Sequence, residues 1–97
     1  MVVDDIVNSC TNSNVAEAAV VSIGGAFARR VREEASRKGV RPGAWAAAAV
    51  MRYRKRAREL DYAELQSRIA GDDQPVLAGF RMIVEPELVC AGEGAGR

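Results

Sequence analysis

The sequence contains no histidine, which removes the commonest general base and metal ligand, so acid–base or metal chemistry would need an unusual set of residues. Neither an enzymatic activity nor a cofactor nor a metal site is therefore expected. Cysteine is nearly as scarce. Cys10 and Cys90 stand at opposite ends of the chain, with no second pair to build a disulfide framework, so two reduced thiols are expected. No apolar run approaches bilayer-spanning length, and the opening residues carry Asp4 and Asp5 rather than the basic start of a secretory signal. The expectation is a cytoplasmic chain with no membrane contact. A single domain of 97 residues buries only about 60–65% of the surface that its unfolded chain exposes. Pairing with a second copy is the expected supplement.

Acidic residues are also scarce where they would matter most. The net charge is +1, but residues 29–58 hold eleven Lys or Arg against Glu33 and Glu34 alone, a segment charge of +9. The flanks compensate, with −3 over residues 1–28 and −5 over residues 59–97. A basic block of this kind is a candidate footprint for a polyanion, or a solvated helix face.

Along the chain, residues 1–17 read as a flexible N-terminal arm: Val2, Val3, Ile6 and Val7 make one apolar turn, and Asn8 to Asn14 is a polar cluster. Ala18-Ala19-Val20-Val21-Ser22-Ile23, closed by Gly24-Gly25, is short and partly β-branched and predicts a strand. Alternation places Ala19, Val21 and Ile23 on its inner face and Ala18, Val20 and Ser22 on its outer face. From Ala26 the period lengthens. Phe27, Val31 and Ala35 recur every four residues up to Gly39, which predicts an amphipathic helix. Pro42 suits the first position of a second helix running to about Glu59, with Trp45, Ala46, Ala49, Val50 and Tyr53 as its apolar stripe. Residues 60–90 predict a helical C-terminal extension. Asp61 with Glu64 has capping-box spacing and Leu60 with Leu65 that of a hydrophobic staple, and Leu65 and Ile69 face inward until Gly71. Asp72 or Asp73 caps a further helix containing Phe80, Ile83 and Val84, with Pro86 as its stop. Residues 91–97, small and glycine-rich, are expected to be a disordered tail.

Strand, helix, tight turn through Gly39-Val40 and second helix, with a basic surface, is an order of parts that resembles the ribbon-helix-helix (MetJ/Arc/CopG) superfamily. The stretch from Ala19 to Tyr53 carries the resemblance. It implies a mostly α fold: a two-fold dimer in which one short strand from each chain pairs antiparallel, above two core helices per chain. The implied dimer core is Ala19, Val21, Ile23, Phe27, Val31, Trp45, Ala49, Val50 and Tyr53. In the family the ribbon enters the major groove of DNA, which assigns base contact to Ala18, Val20 and Ser22. Only Ser22 can hydrogen-bond a base edge. The family also seats a phosphate at the amino end of the second helix. That places Arg41, Gly43 and Ala44 at a phosphate site, with Arg29 and Arg30 adding attraction from the first helix. The group Arg52, Arg54, Lys55, Arg56 and Arg58 reads either as further phosphate contacts or as cations complementing a helix carboxyl end.

These readings give a dimeric DNA-binding regulator, with double-stranded DNA bound mainly electrostatically. If such a dimer neutralises about six phosphates, log K falls with log salt at a slope near −5. The alternative is a protein-interaction module or antitoxin in which residues 59–90 bind a protein partner. A plain helical protein is the third possibility, and it requires Ala18 to Ile23 to be helical. Ser9-Cys10-Thr11-Asn12 resembles the short signature around an iron–sulfur ligand in aconitase-like dehydratases. A cluster needs more thiolates than Cys90 adds.

Overall fold

The computed structural model describes residues 2–95, with side chains described up to residue 89. Six helices follow one another: α1 (Val2–Ser9), α2 (Ser13–Ile23), α3 (Gly25–Lys38), α4 (Pro42–Arg56), α5 (Glu59–Ile69) and α6 (Pro75–Ala95). Among the described residues there is no strand, so the expected ribbon-helix-helix fold is corrected to an all-helical one. Ala18 to Ile23 form the second half of α2.

The reason lies one turn upstream of the window that suggested a strand. Asn12 caps α2, its Oδ1 accepting from the backbone N–H of Asn14 at 2.9 Å and of Val15 at 3.3 Å. Ala16, Ala19, Val20 and Ile23 then fall at helical spacing, the first three buried and Ile23 partly buried against the core. Alanine, which strands disfavour, is the best helix former. Val21, placed inside by the strand reading, is 70% exposed. The segment ends where Gly24 turns to φ +63 and its N–H returns to the Val20 carbonyl at 2.9 Å.

The arm is also corrected. Residues 2–9 form α1, which buries Val3, Ile6 and Val7 against α5 and α6, and Cys10 follows them into the core. Asp4 and Asp5 lie in the first turn, where the helix dipole favours acids.

Helix α3 buries Phe27, Ala28, Val31 and Ala35 and ends at Gly39, in left-handed conformation at φ +70. The Gly39 and Val40 N–H groups close the last turn on the Ser36 and Ala35 carbonyls. Helix α4 starts with Pro42 at a position that needs no N–H. It is the centre of the bundle, touching α1, α2, α3 and α6, and it buries Trp45, Ala46, Ala47, Ala49 and Val50. The small residues let α2 lie very close. A Cβ on buried Gly43 would overlap the Ser13 carbonyl oxygen and stand 2.7 Å from Glu17 Cβ.

Helix α5 begins two residues before Asp61, which sits inside its first turn and accepts from the Arg58 N–H at 2.8 Å. Leu60 is 84% exposed, so it makes no staple with Leu65. Leu65, Ile69, Phe80, Ile83, Val84 and Leu88 are buried, and Phe80 meets Phe27 edge-on with ring centroids 6.3 Å apart.

Pro86 does not stop α6. Proline removes the bond to the carbonyl four residues back, here that of Met82. Both residues are on the exposed side, so water can serve that carbonyl. The expected tail at 91–97 falls partly within α6, which runs to Ala95, and residues 96 and 97 lie outside the described residues.

The Cα radius of gyration is 12.8 Å, against about 13 Å for a folded domain of 100 residues. The core therefore closes within one chain. With residues 18–23 helical, they present no unpaired strand edge that demands a second copy.

Candidate polyanion interface

The expected base-reading trio does not share a face. Ala18 and Ser22, one helical turn apart, are exposed on α2, whereas Val20 points the other way and is 1% exposed. Of the residues assigned to a dimer core, Ala19, Phe27, Val31, Trp45, Ala49 and Val50 are buried within the single chain, and Ile23 and Tyr53 pack against them. Val21 alone faces solvent. The Tyr53 ring stacks on Tyr62 at 5.8 Å, and the Arg56 guanidinium lies over it at 5.6 Å. These two aromatics join α4 to α5.

The expected phosphate site at the start of α4 is held by the chain's own carboxylate. Arg41 donates to both Glu17 oxygens, at 3.4 and 3.3 Å. Gly43 is buried against the same Glu17 side chain, and Ala44 is exposed. Glu17 thus supplies the anion that this helix end favours.

The basic block divides similarly. On α3, Arg29 pairs with Glu33 at 3.9 Å and Arg37 with Glu34 at 3.2 Å. At the end of α4, Arg52 and Arg56 converge on Glu87 of α6, at 2.8 and 3.5 Å. Arg54 and Lys55 point elsewhere, because successive residues are about 100° apart around a helix. They border a hollow of about 320 Å³ with Thr11 and Met51. Arg54, Lys55 and Arg58 are exposed, and among the described residues no acid pairs with the charged end of any of their side chains.

Nothing in the sequence places Thr11 beside these cations. Its hydroxyl donates to the Asn8 carbonyl at 3.2 Å, and it immediately precedes the cap of α2, the positive end of that helix. The hollow therefore collects two side-chain cations and a hydroxyl that can also accept. This arrangement favours an anion.

Cys10 lies nearby in sequence but is 1% exposed, and burial pushes its thiol pKa up. That disfavours the reactive thiolate. Among the described residues no group of three or more Cys, Asp or Glu is placed to hold a metal ion, and no helix is long and apolar enough to cross a membrane. Compared with family models, curated proteins and solved structures, the chain matches none.

Proposed function

We propose that the chain binds the phosphate backbone of double-stranded DNA, without reading its bases, through Arg54, Lys55 and Arg58. The observation that carries this reading is the uneven neutralisation at the end of α4. Arg52 and Arg56 are matched by Glu87, while Arg54 and Lys55, beside the hollow at Thr11, and Arg58 are left exposed. One cation suffices to complement a helix carboxyl end, an effect confined to the last turn. Three more unmatched charges in five residues repel one another, and that repulsion is relieved by an anionic partner. Phosphates are the partner that supplies anions at regular spacing along a surface. No base-reading element accompanies the cations, so binding is expected to be indifferent to sequence.

The test is fluorescence anisotropy with a short random-sequence duplex across a salt series. Three neutralised phosphates give a slope of log K against log salt of about −2.7. Replacing Arg54, Lys55 and Arg58 together with Ala should abolish the slope and the binding while leaving the melting temperature unchanged. The absence of a complex at low salt, or an undiminished slope in the triple variant, refutes the reading.

A further inference from the structure

A second hollow, of about 240 Å³, opens on another part of the molecule and is lined by Glu17, Val20, Val21, Arg32, Arg41 and Pro42. Two of its features are left over from folding. Val21 exposes 70% of its surface, although a β-branched residue gains nothing on an exposed helix face. Arg32 is exposed and has no acidic partner among the described residues. The other guanidinium, Arg41, is held only by Glu17, at 3.3 Å with 78% of its side chain exposed. Exposed pairs of this kind are weak. Val21 and Pro42, over the buried Val20, thus supply apolar surface beside two arginines, with a carboxylate that one of them can release.

We infer that this hollow is a binding site for a short aliphatic carboxylate. The guanidinium fork of Arg32 matches a carboxylate with two parallel hydrogen bonds. The hydrocarbon part covers Val21 and Pro42. Glu17 competes for Arg41 and sets the affinity. The volume lies below the roughly 300 Å³ of pockets that hold drug-sized ligands. A short aliphatic chain is therefore the size class that matches it, with hexanoate as the representative probe. A cation of the same shape would meet two guanidinium groups and be rejected. The site is independent of the DNA-binding reading, since it shares no residue with Arg54, Lys55 or Arg58.

The test is an NMR titration of the intact chain, without DNA, following the Val20 and Val21 methyl groups and the Arg32 side-chain N–H. Acetate, butanoate, hexanoate and octanoate are the probes. From acetate through butanoate to hexanoate, each added methylene should tighten binding by up to about fourfold, with a smaller gain per methylene for octanoate, whose end reaches past the hollow into solvent. Arg32→Gln should weaken hexanoate about tenfold, Glu17→Gln should tighten it by freeing Arg41, and Val21→Ser should flatten the dependence on chain length. Residues 21 and 32 are exposed, so a thermal melt is expected to show both variants folded. The Arg54→Ala, Lys55→Ala double variant should bind hexanoate unchanged. Methyl signals that do not move, acetate equal to hexanoate, or hexylammonium binding as well as hexanoate would each overturn the proposal.

Discussion

Replacing Gly43 with Ala tests the contact on which the bundle turns. Glycine in a helix ordinarily costs up to about 1 kcal/mol relative to alanine, so a loosely packed site would be stabilised by the change. Here the added methyl would overlap the Ser13 carbonyl oxygen and stand 2.7 Å from Glu17 Cβ. The first of these is backbone and cannot turn aside. Carbon atoms pack at about 3.5–4.0 Å, so α2 and α4 must separate by roughly 1 Å. That opens the layer made by Ala16, Ala19 and Val20 on one side and Ala46, Ala47 and Val50 on the other, all buried. Gaps of this size forfeit about a quarter to a half of the contact energy, and overpacking of well-filled cores costs typically about 1–3 kcal/mol. The overlap with backbone puts this site in the upper part of that range, about 2–3 kcal/mol, so after a propensity gain of up to about 1 kcal/mol a net loss of about 1–2 kcal/mol is expected. Each kcal/mol moves the midpoint by about 4–8 °C in a domain of this size, so the melting temperature followed by circular dichroism should fall by roughly 5–15 °C. Gly79→Ala is the internal comparison, because its methyl meets only side-chain ends, the Cδ1 atoms of Ile6 and Ile69, and no backbone. A Gly43→Ala protein as stable as the parent would show that α2 does not lie against the first turn of α4.

Two further outcomes follow. Val21→Lys should leave the far-ultraviolet spectrum helical and the melting temperature within about 4 °C of the parent, because substitutions at exposed sites stay within about 0.5 kcal/mol; unfolding would show that residue 21 is internal. Stability should hold at neutral pH and fall above pH 9.0, because burial raises the Cys10 thiol above that ordinary value, while burial, then Asp61, raise Tyr53. Groups whose folded pKa is raised stabilise the fold only while protonated, so their contribution is complete below the unfolded pKa and is lost as pH climbs through the folded one. The urea midpoint across that range measures this, and Cys10→Ala should remove the first part of the fall; a midpoint that rises with pH would refute the assignment.

How much of the fold the sequence reveals depends on whether a helix carries its own punctuation. Gly39 and Pro42 bracket the turn between α3 and α4, and the periods of Phe27, Val31 and Ala35 and of Trp45, Ala49 and Tyr53 lie between such marks. These helices are legible. The run from Ala18 to Ile23 fits both periods, as short apolar runs do. The arbiter was the cap at Asn12 and the buried Ala16, both outside the run. For α1 there was no local arbiter. Eight residues are too few to hold a helix alone in water, and what holds this one is contact with α5 and α6, more than fifty residues away in sequence. Pro86 reads locally as a stop, and only its position on the outer side of α6 makes it tolerable.

The candidate site was legible as a quantity of charge and not as a place. Eleven cations between residues 29 and 58 predict an extended basic field, yet five of them are matched within the chain. Two of those matches, on α3, have helical i,i+3 or i,i+4 spacing and can be anticipated. The others cannot, because Arg41 meets Glu17 across 24 residues and Arg52 meets Glu87 across 35. Long-range pairing therefore decides which cations a partner encounters. Pairing also separates two readings of the same composition. A dimeric ribbon that neutralises six phosphates has a salt slope near −5, whereas the three unmatched cations beside α4 give about −2.7. A measured slope near the larger value would mean that phosphate displaces Glu87 from Arg52 and Arg56 or recruits Arg30, Arg32 and Lys38 from the α3 side. Glu87→Gln distinguishes these cases, because it steepens the slope only where Glu87 still masks its two arginines.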